Sequence, residues 1–155
     1  MQSSWHAGAY FTNDRIVVHS QSRTRSGVGW YNQPVFLVPH DASSDLLGQH
    51  VREALNGSIW DSLNDDSQNA MHPIVQQAGA KNWRDLENRS KHVSIETDKQ
   101  VVKVLPSRWV AKAEGGRGFI PLLERQIEIK WNDTDAELGS ALRRGFEASQ
   151  TKAER

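Results

Sequence analysis

The histidines, and the serines beside one of them, are the first side chains that could carry out chemistry. Six histidines occur, at positions 6, 19, 40, 50, 72 and 92, and no two have the HxH or HExxH spacing typical of a shared metal ion. His19 lies beside Ser20 and Ser22, an arrangement in which a histidine could activate a serine nucleophile. Neighbouring positions alone do not place two groups within hydrogen-bonding distance, so we expect His19 to bond a nearby loop at a strand end. We predict no catalytic residue, no metal site and no cofactor.

Two further regions contain residues that could hold phosphate groups. Gly115-Gly-Arg-Gly118 is rich in glycine, but it lacks the Lys-Ser/Thr ending of a P-loop and precedes a strand pattern, so we expect a hairpin loop. Basic residues also lie near Trp30 and Trp109, and cations interleaved with aromatic rings are typical of single-stranded nucleic acid binding. The basic residues are Arg23, Arg25, Arg108, Lys112 and Arg117. They support an alternative function, a single-stranded nucleic-acid-binding module.

The composition argues against a protein whose main partner is nucleic acid. Among 155 residues, 19 Lys and Arg balance 19 Asp and Glu, whereas a phosphate-binding surface needs an excess of cations. The chain has no cysteine, which excludes disulfides and cysteine-ligated zinc and fits a reducing cytoplasm. Its first residues have no basic flank followed by an apolar stretch, and no segment is long and apolar enough to span a membrane. We therefore expect a cytoplasmic location.

The elements that position these residues become visible when the two ends of the chain are compared. Residues 34–56 align with residues 125–147 at an offset of 91 residues, from Gly48 to Gly139. Each segment has an alternating strand pattern, a polar turn and a helical pattern. The aligned apolar pairs are Phe36 with Ile127, Val38 with Ile129, Leu47 with Leu138, Val51 with Leu142, and Leu55 with Phe146.

The ends of the two helices are also predicted by residue type. Ser43 and Thr134 stand where N-caps belong, and Glu137 completes a capping box with Thr134. Gly57 stands where a C-terminal glycine cap belongs. The pattern therefore predicts one helix after Ser43 and another after Thr134.

Strand candidates precede each helix in the same order. They are Trp5–Phe11, Ile16–Ser20 and Val28–Tyr31 in the first half, and His92–Thr97, Val101–Leu105 and Gly118–Leu122 in the second. We predict an α+β fold in which a duplicated ββββα unit forms two antiparallel four-stranded sheets. Residues 1–155 are expected to form one domain, with related halves at 5–57 and 91–148. Residues 58–90 are an insert in which we expect small helices.

The sequence resembles immunity proteins of contact-dependent growth inhibition systems. The resemblance lies in five stretches that span nearly the whole chain: His19–Thr24 with Gly27, Asp41–Ser44 with Leu47-Gly48, Ala78–Trp83, Gly118–Leu122 and Glu137–Leu142. It implies a protein that is not an enzyme and that binds and blocks a C-terminal toxin domain, often a nuclease, delivered by a neighbouring cell. It also implies the Whirly-like fold of some such proteins, with two four-stranded sheets each followed by a helix. The segment Trp109–Glu114 departs from the pattern, so no functional residue is assigned to it.

Acidic residues beside an aromatic side chain suit this implied function. Nuclease substrate clefts are basic, so carboxylates can imitate phosphate and steer the encounter, while tryptophan is common among binding hot spots. Trp60, Asp61, Asp65 and Asp66 combine both features, and we predict that they bind the toxin domain in a one-to-one complex. A second acidic group has a structural explanation in helix capping and the helix dipole. That second group is Asp133, Asp135 and Glu137.

Overall fold

The computed structural model describes residues 2–24, 29–62, 73–110 and 118–151. For residues 23, 24, 29–32, 61 and 62 it describes only the backbone. The strands are β1 Trp5–Phe11, β2 Arg15–Thr24, β3 Gly29–Pro39, β4 Trp60–Ser62, β5 Lys91–Thr97, β6 Val101–Val110, β7 Gly118–Pro121 and β8 Ile127–Lys130. The helices are α1 Ser44–Asn56, α2 Trp83–Arg89 and α3 Asp135–Ala148, with a 3-10 turn at Leu123–Arg125. Residues 73–77 are also helical. The predicted α+β class is confirmed.

The strands form one sheet, and the prediction of two separate sheets is wrong. The order is β3-β2-β1-β5-β6-β7, with β4 paired to β2 and β8 paired to β6. The two halves join where β1 pairs with β5 along its whole length, from Trp5 opposite Thr97 to Phe11 opposite Lys91. Each half would otherwise expose an unpaired strand edge, and pairing the two edges satisfies their backbone groups. Among the described strands, only the β2–β4 pair is parallel.

The third and fourth predicted strands of the first half are one strand. Residues 29–31 of the predicted strand Val28–Tyr31 and the strand pattern near Val38 both belong to β3, which pairs with β2 along its length, while Val28 lies outside the described residues. The register shifts between His19 and Ser20, so residues 33 and 34 have no partner in the ladder. In the second half, the equivalent positions form two strands, β7 and β8, on different parts of β6. The proposed duplication remains a prediction.

Helices α1 and α3 pack side by side on one face of the sheet. Ser43 and Thr134 cap them as predicted: the Ser43 hydroxyl accepts a hydrogen bond from the Leu46 amide, and that of Thr134 from the Glu137 amide. The apolar stripes of both helices are buried against alternate strand residues, which excludes water from this core. The helical members of this core are Leu47, Val51, Ala54, Leu55, Leu138, Ala141, Leu142 and Phe146.

The aligned glycines Gly48 and Gly139 allow the two helices to approach closely. A Cβ atom on Gly48 would lie 1.7 Å from the carbonyl oxygen of Asp135, and one on Gly139 would lie 2.0 Å from that of Ser44. The two contacts are equivalent, because Ser44 and Asp135 are also 91 residues apart. Each glycine thus makes room for the first turn of the other helix.

Two arginines, Arg52 of α1 and Arg143 of α3, make a second pair of reciprocal contacts. Each guanidinium donates to two backbone carbonyls of the segment that precedes the other helix, and these arginines too are 91 residues apart. The accepting carbonyls are those of Trp131 and Asp133 for Arg52, and of His40 and Ala42 for Arg143. Arg52 also forms an ion pair with Asp135 at 2.8 Å. The segments that lead into the helices are therefore held from the opposite half of the fold.

A smaller cluster covers part of the other face of the sheet. It contains Tyr10 and Val17 from the strands, Ile74 and Ala78 from the insert, and Leu86 of α2. The predicted small helices of the insert are thus confirmed at residues 73–77 and 83–89. They leave one end of this face open, near β7.

Candidate functional site

Two exposed apolar side chains, Ile59 and Trp60, mark the predicted toxin-binding segment. Trp60 begins β4, which pairs with the end of β2 and places Trp60 opposite Arg23 in the backbone ladder. Ile59 is 51% exposed and Trp60 is 40% exposed. Adjacent apolar groups on a surface can serve as the centre of a protein interface. Sequence reasoning identified Trp60 but missed Ile59, because nothing in the order of residues shows which apolar side chains remain outside the core.

Buried serines fix the backbone beneath this apolar pair. Ser58, which is 5% exposed, donates through Oγ to the carbonyl of Gln21 at 2.6 Å and accepts from the amide of His6 at 3.0 Å. The Ile59 amide donates to Oγ of Ser22 at 2.9 Å. A backbone held by such bonds loses little freedom when a partner binds, so less binding energy is spent on ordering it.

The acidic part of the predicted site is only partly described. The backbone of Asp61 lies in β4 directly after Trp60. Asp65 and Asp66 lie outside the described residues. The toxin-binding role of Trp60, Asp61, Asp65 and Asp66 therefore stays a prediction.

The second acidic group has the structural role expected for it. The Asp133 carboxylate accepts a hydrogen bond from the Lys130 amide at 2.8 Å, and Asp135 accepts one from Arg52 at 2.8 Å. Glu137 is exposed in the first turn of α3, and its amide donates to Thr134. Turn, cap and ion-pair contacts thus account for these positions.

The two predicted basic loops leave opposite ends of the sheet. β2 ends at Thr24, on the side where Trp5 pairs with Thr97, whereas β6 ends at Val110, on the side where Phe11 pairs with Lys91. These two pairs are about 20 Å apart along the strands, from six residues at about 3.4 Å each, and both β2 and β6 extend beyond them. Arg23 and Arg108, two of the basic residues that support the nucleic-acid-binding alternative, therefore lie far apart on the sheet. Arg25, Lys112 and Arg117 lie outside the described residues.

His19 is a buried part of an aromatic cluster. Its side chain is 0% exposed, and Nδ1 lies 3.0 Å from the carbonyl oxygen of Ser20. Its ring centroid is 5.7 Å from that of Tyr10 and 6.0 Å from that of His92. Burial lowers the pKa of His19 to about 4 and that of His92 to about 3, so both rings are neutral near pH 7. The expectation that His19 bonds a loop at a strand end is wrong, because His19 lies within β2 and this contact is with Ser20 of the same strand.

The remaining sequence features have simple structural outcomes. Gly118 begins β7 with a φ of 91°, so a strand follows the glycine-rich segment, of which residues 115–117 lie outside the described ranges. Within the described ranges, no three His, Asp or Glu side chains come together as metal ligands do. No helix in those ranges is long and apolar enough to cross a lipid bilayer.

Known proteins share both the sequence pattern and the fold. Residues 5–149 match the family model CdiI, described as CDI immunity protein. A Neisseria meningitidis protein of unknown function matches with a TM-score of 0.77 at 17% identity, over 96% of this chain and 98% of the other. A chain of a CdiA-CT/CdiI toxin and immunity complex from Yersinia pseudotuberculosis matches with a TM-score of 0.75 at 19% identity, with the same coverage. No curated protein matches the sequence significantly. Because the family model covers nearly the whole chain, the protein belongs to the CdiI family of CDI immunity proteins.

Proposed function

We propose that this protein neutralises a CDI toxin by binding its C-terminal toxin domain in a one-to-one complex. The observation that carries the proposal is the match to the CDI immunity family over residues 5–149. The similar fold found in a toxin and immunity complex supports it. The protein acts by occupying the toxin, not as an enzyme, and it does so in the cytoplasm. The toxin is a nuclease with a basic substrate cleft.

The surface formed by Ile59 and Trp60 provides the apolar centre of the proposed interface. Both side chains are exposed, while Ser58 and Ser22 hold the backbone beneath them. Asp61, Asp65 and Asp66 follow in the sequence and supply negative charge around that centre. An apolar anchor ringed by charge suits a basic partner, because the anchor stabilises the complex and the charges accelerate association.

Two measurements test this function. The first is protection: cells that express this protein are expected to survive expression of the toxin domain encoded next to it. The second is titration calorimetry of the purified pair, with one-to-one binding near nanomolar affinity, on the order of −12 kcal/mol. Absence of protection together with absence of binding at micromolar concentration would refute the proposal.

Substitution of Trp60 tests the proposed surface. We expect Trp60→Ala to weaken toxin binding by at least about 2 kcal/mol, the level that defines a hot spot. Leu46→Ala is the matched control, because Leu46 is similarly exposed, at 39%, but lies on α1, which packs on one face of the sheet away from β4. Equal affinities of the two variants would place the interface elsewhere while leaving the immunity function intact.

We also infer that residues 1–155 fold as one domain built from two related halves, in the first of which a single strand, β3, takes the place of the third and fourth strands. The 91-residue offset supports this inference, since it relates the glycine pair Gly48 and Gly139 and the arginine pair Arg52 and Arg143. A single cooperative unfolding transition, identical by circular dichroism and tryptophan fluorescence, is the expected result. Two separate transitions would contradict the single domain.

A further inference from the structure

A cavity of about 280 Å³ opens on the sheet face opposite to α1 and α3. Strands β1, β2, β5, β6 and β7 contribute to its walls, together with α2. The polar side chains in its lining are Tyr10, Gln21, Glu87, His92, Ser94 and Ser107. Pockets for whole small-molecule ligands measure about 300–1,000 Å³, so this one suits a single long side chain better.

His92, which lines the cavity, has a buried ring nitrogen that lacks a partner among the described residues and lies 2.9 Å from the place that a Cβ atom on Gly8 would occupy. His92 is 8% exposed, and its Nε2 atom makes no hydrogen bond within the described part of the chain. The ring is neutral near pH 7, and Nε2 is therefore a hydrogen-bond acceptor when the proton resides on Nδ1.

The cavity also contains one formal charge, which is negative. Glu87 of α2 is the charged residue in the lining, and its Oε1 lies 4.0 Å from the place that a Cβ atom on Gly118 would occupy. Across the described residues, the Glu87 carboxylate takes part in no ion pair and no hydrogen bond. A carboxylate that has no partner of its own, at the side of a polar cavity, favours a cationic ligand.

We propose that this cavity receives an arginine side chain of the toxin domain, an inference that rests on the proposed function. The guanidinium donates to the Glu87 carboxylate, and it has no acceptor atoms that would be left unsatisfied. The rings of Tyr10 and His92, with centroids 4.6 Å apart, pack against each other in the cavity lining. Gln21 lines the cavity and also carries the carbonyl bonded by Ser58, so the cavity adjoins the Ile59–Trp60 surface. One partner can therefore contact both.

The test compares Glu87→Gln with a matched control in titrations of the toxin domain. Glu147→Gln is the control, because Glu147 is exposed on α3, which covers the opposite face of the sheet. We expect Glu87→Gln to weaken binding at least about tenfold, as loss of a charged hydrogen bond does, and to reduce the salt dependence of the affinity. The thermal unfolding midpoint of the free variant should stay unchanged, since Glu87 has no described partner to lose.

Nitrogen NMR of His92 gives a second and independent readout. Because His92 lines the cavity, its ring nitrogen signals should shift when the toxin domain binds, and they should shift less with Glu87→Gln. If the wild type binds while Glu87→Gln and Glu147→Gln bind equally well, the cavity inference is overturned and the immunity function stands. If the wild type does not bind the toxin domain, the proposed function fails and this inference fails with it.

Discussion

The contact between α1 and α3 leads to the most specific stability prediction for this chain, the effect of Gly48→Ala. A Cβ atom at this position would lie 1.7 Å from the Asp135 carbonyl oxygen, about 1.8 Å short of an ordinary contact of about 3.5 Å. The obstacle belongs to the backbone of α3, so no side-chain rotation relieves it. The new methyl group must therefore separate two helices that also share the main core.

The expected magnitude follows from two opposing effects. Inserting a methyl group into a well-packed core costs about 1–3 kcal/mol, and a rigid backbone neighbour places this case at the upper end. Alanine is a better helix former than glycine by about 1 kcal/mol, which offsets part of that cost. We therefore expect the free energy of unfolding to fall by about 2 kcal/mol. The same reasoning applies to Gly139→Ala, because Gly139 faces the Ser44 carbonyl at 2.0 Å.

Urea unfolding followed by circular dichroism measures this effect. The matched controls are Gln49→Ala and Ser140→Ala, which add alanine at exposed neighbouring positions of the same helices and should change stability by less than about 0.5 kcal/mol. In the double variant Gly48→Ala and Gly139→Ala, the loss in free energy of unfolding should be smaller than the sum of the two single losses, since the first substitution has already separated the helices. If Gly48→Ala were as stable as Gln49→Ala, the close approach of the helices would be refuted.

Three further predictions concern other parts of the fold. Arg52→Ala should lower the free energy of unfolding by about 1.5–3 kcal/mol, because hydrogen bonds to two backbone carbonyls and an ion pair are lost. Arg144→Ala, at an exposed position of α3, should leave it unchanged, and urea unfolding distinguishes the two variants. Ser43→Ala removes an N-cap and should cost about 1 kcal/mol, seen as a melting temperature lowered by about 2–4 °C; an unchanged temperature would contradict the cap. His19 and His92 have lower pKa values in the folded protein than in the unfolded chain, which therefore binds more protons below about pH 6.5. The free energy of unfolding should not change above that pH, and between pH 6 and 5 it should fall by up to about 1.4 kcal/mol per pH unit for each histidine. A free energy of unfolding that stays constant across this range, measured by urea unfolding, would contradict the burial of both rings.

The sequence predicted those elements whose signals are local. The strand Trp5–Phe11 and the caps Ser43 and Thr134 follow from alternation and from capping chemistry, and the structure contains all three. The joining of β1 to β5 was missed, because residues that pair across a sheet carry no local mark of their partner. Strand β3 was divided in two, since Asn32 and Pro34 are typical of turns, whereas the structure accommodates a ladder irregularity at this place.

The candidate site, too, could be predicted from the sequence only where its signals are local. Trp60 was selected for its type and its acidic neighbours, but the strand β4 that carries it, three residues long, is too short to show a periodic pattern. Arg52 and Arg143 were not singled out, although the 91-residue offset that aligned Gly48 with Gly139 also aligns them. Their role depends on carbonyl groups far away in sequence, and only the packed structure brings these together.

The reciprocal holding of the helix starts by Arg52 and Arg143 has a consequence for how the fold can be built. Each half supplies the bonds that fix the helix entry of the other, so neither half is complete by itself. The same contacts would form between two identical chains related by a twofold axis. Each half contains one such arginine and one segment of backbone carbonyls before its helix. These are the groups that would form the contacts of a symmetric dimer. The contacts in the present chain have the arrangement that such a dimer would have if its two chains were joined into one polypeptide.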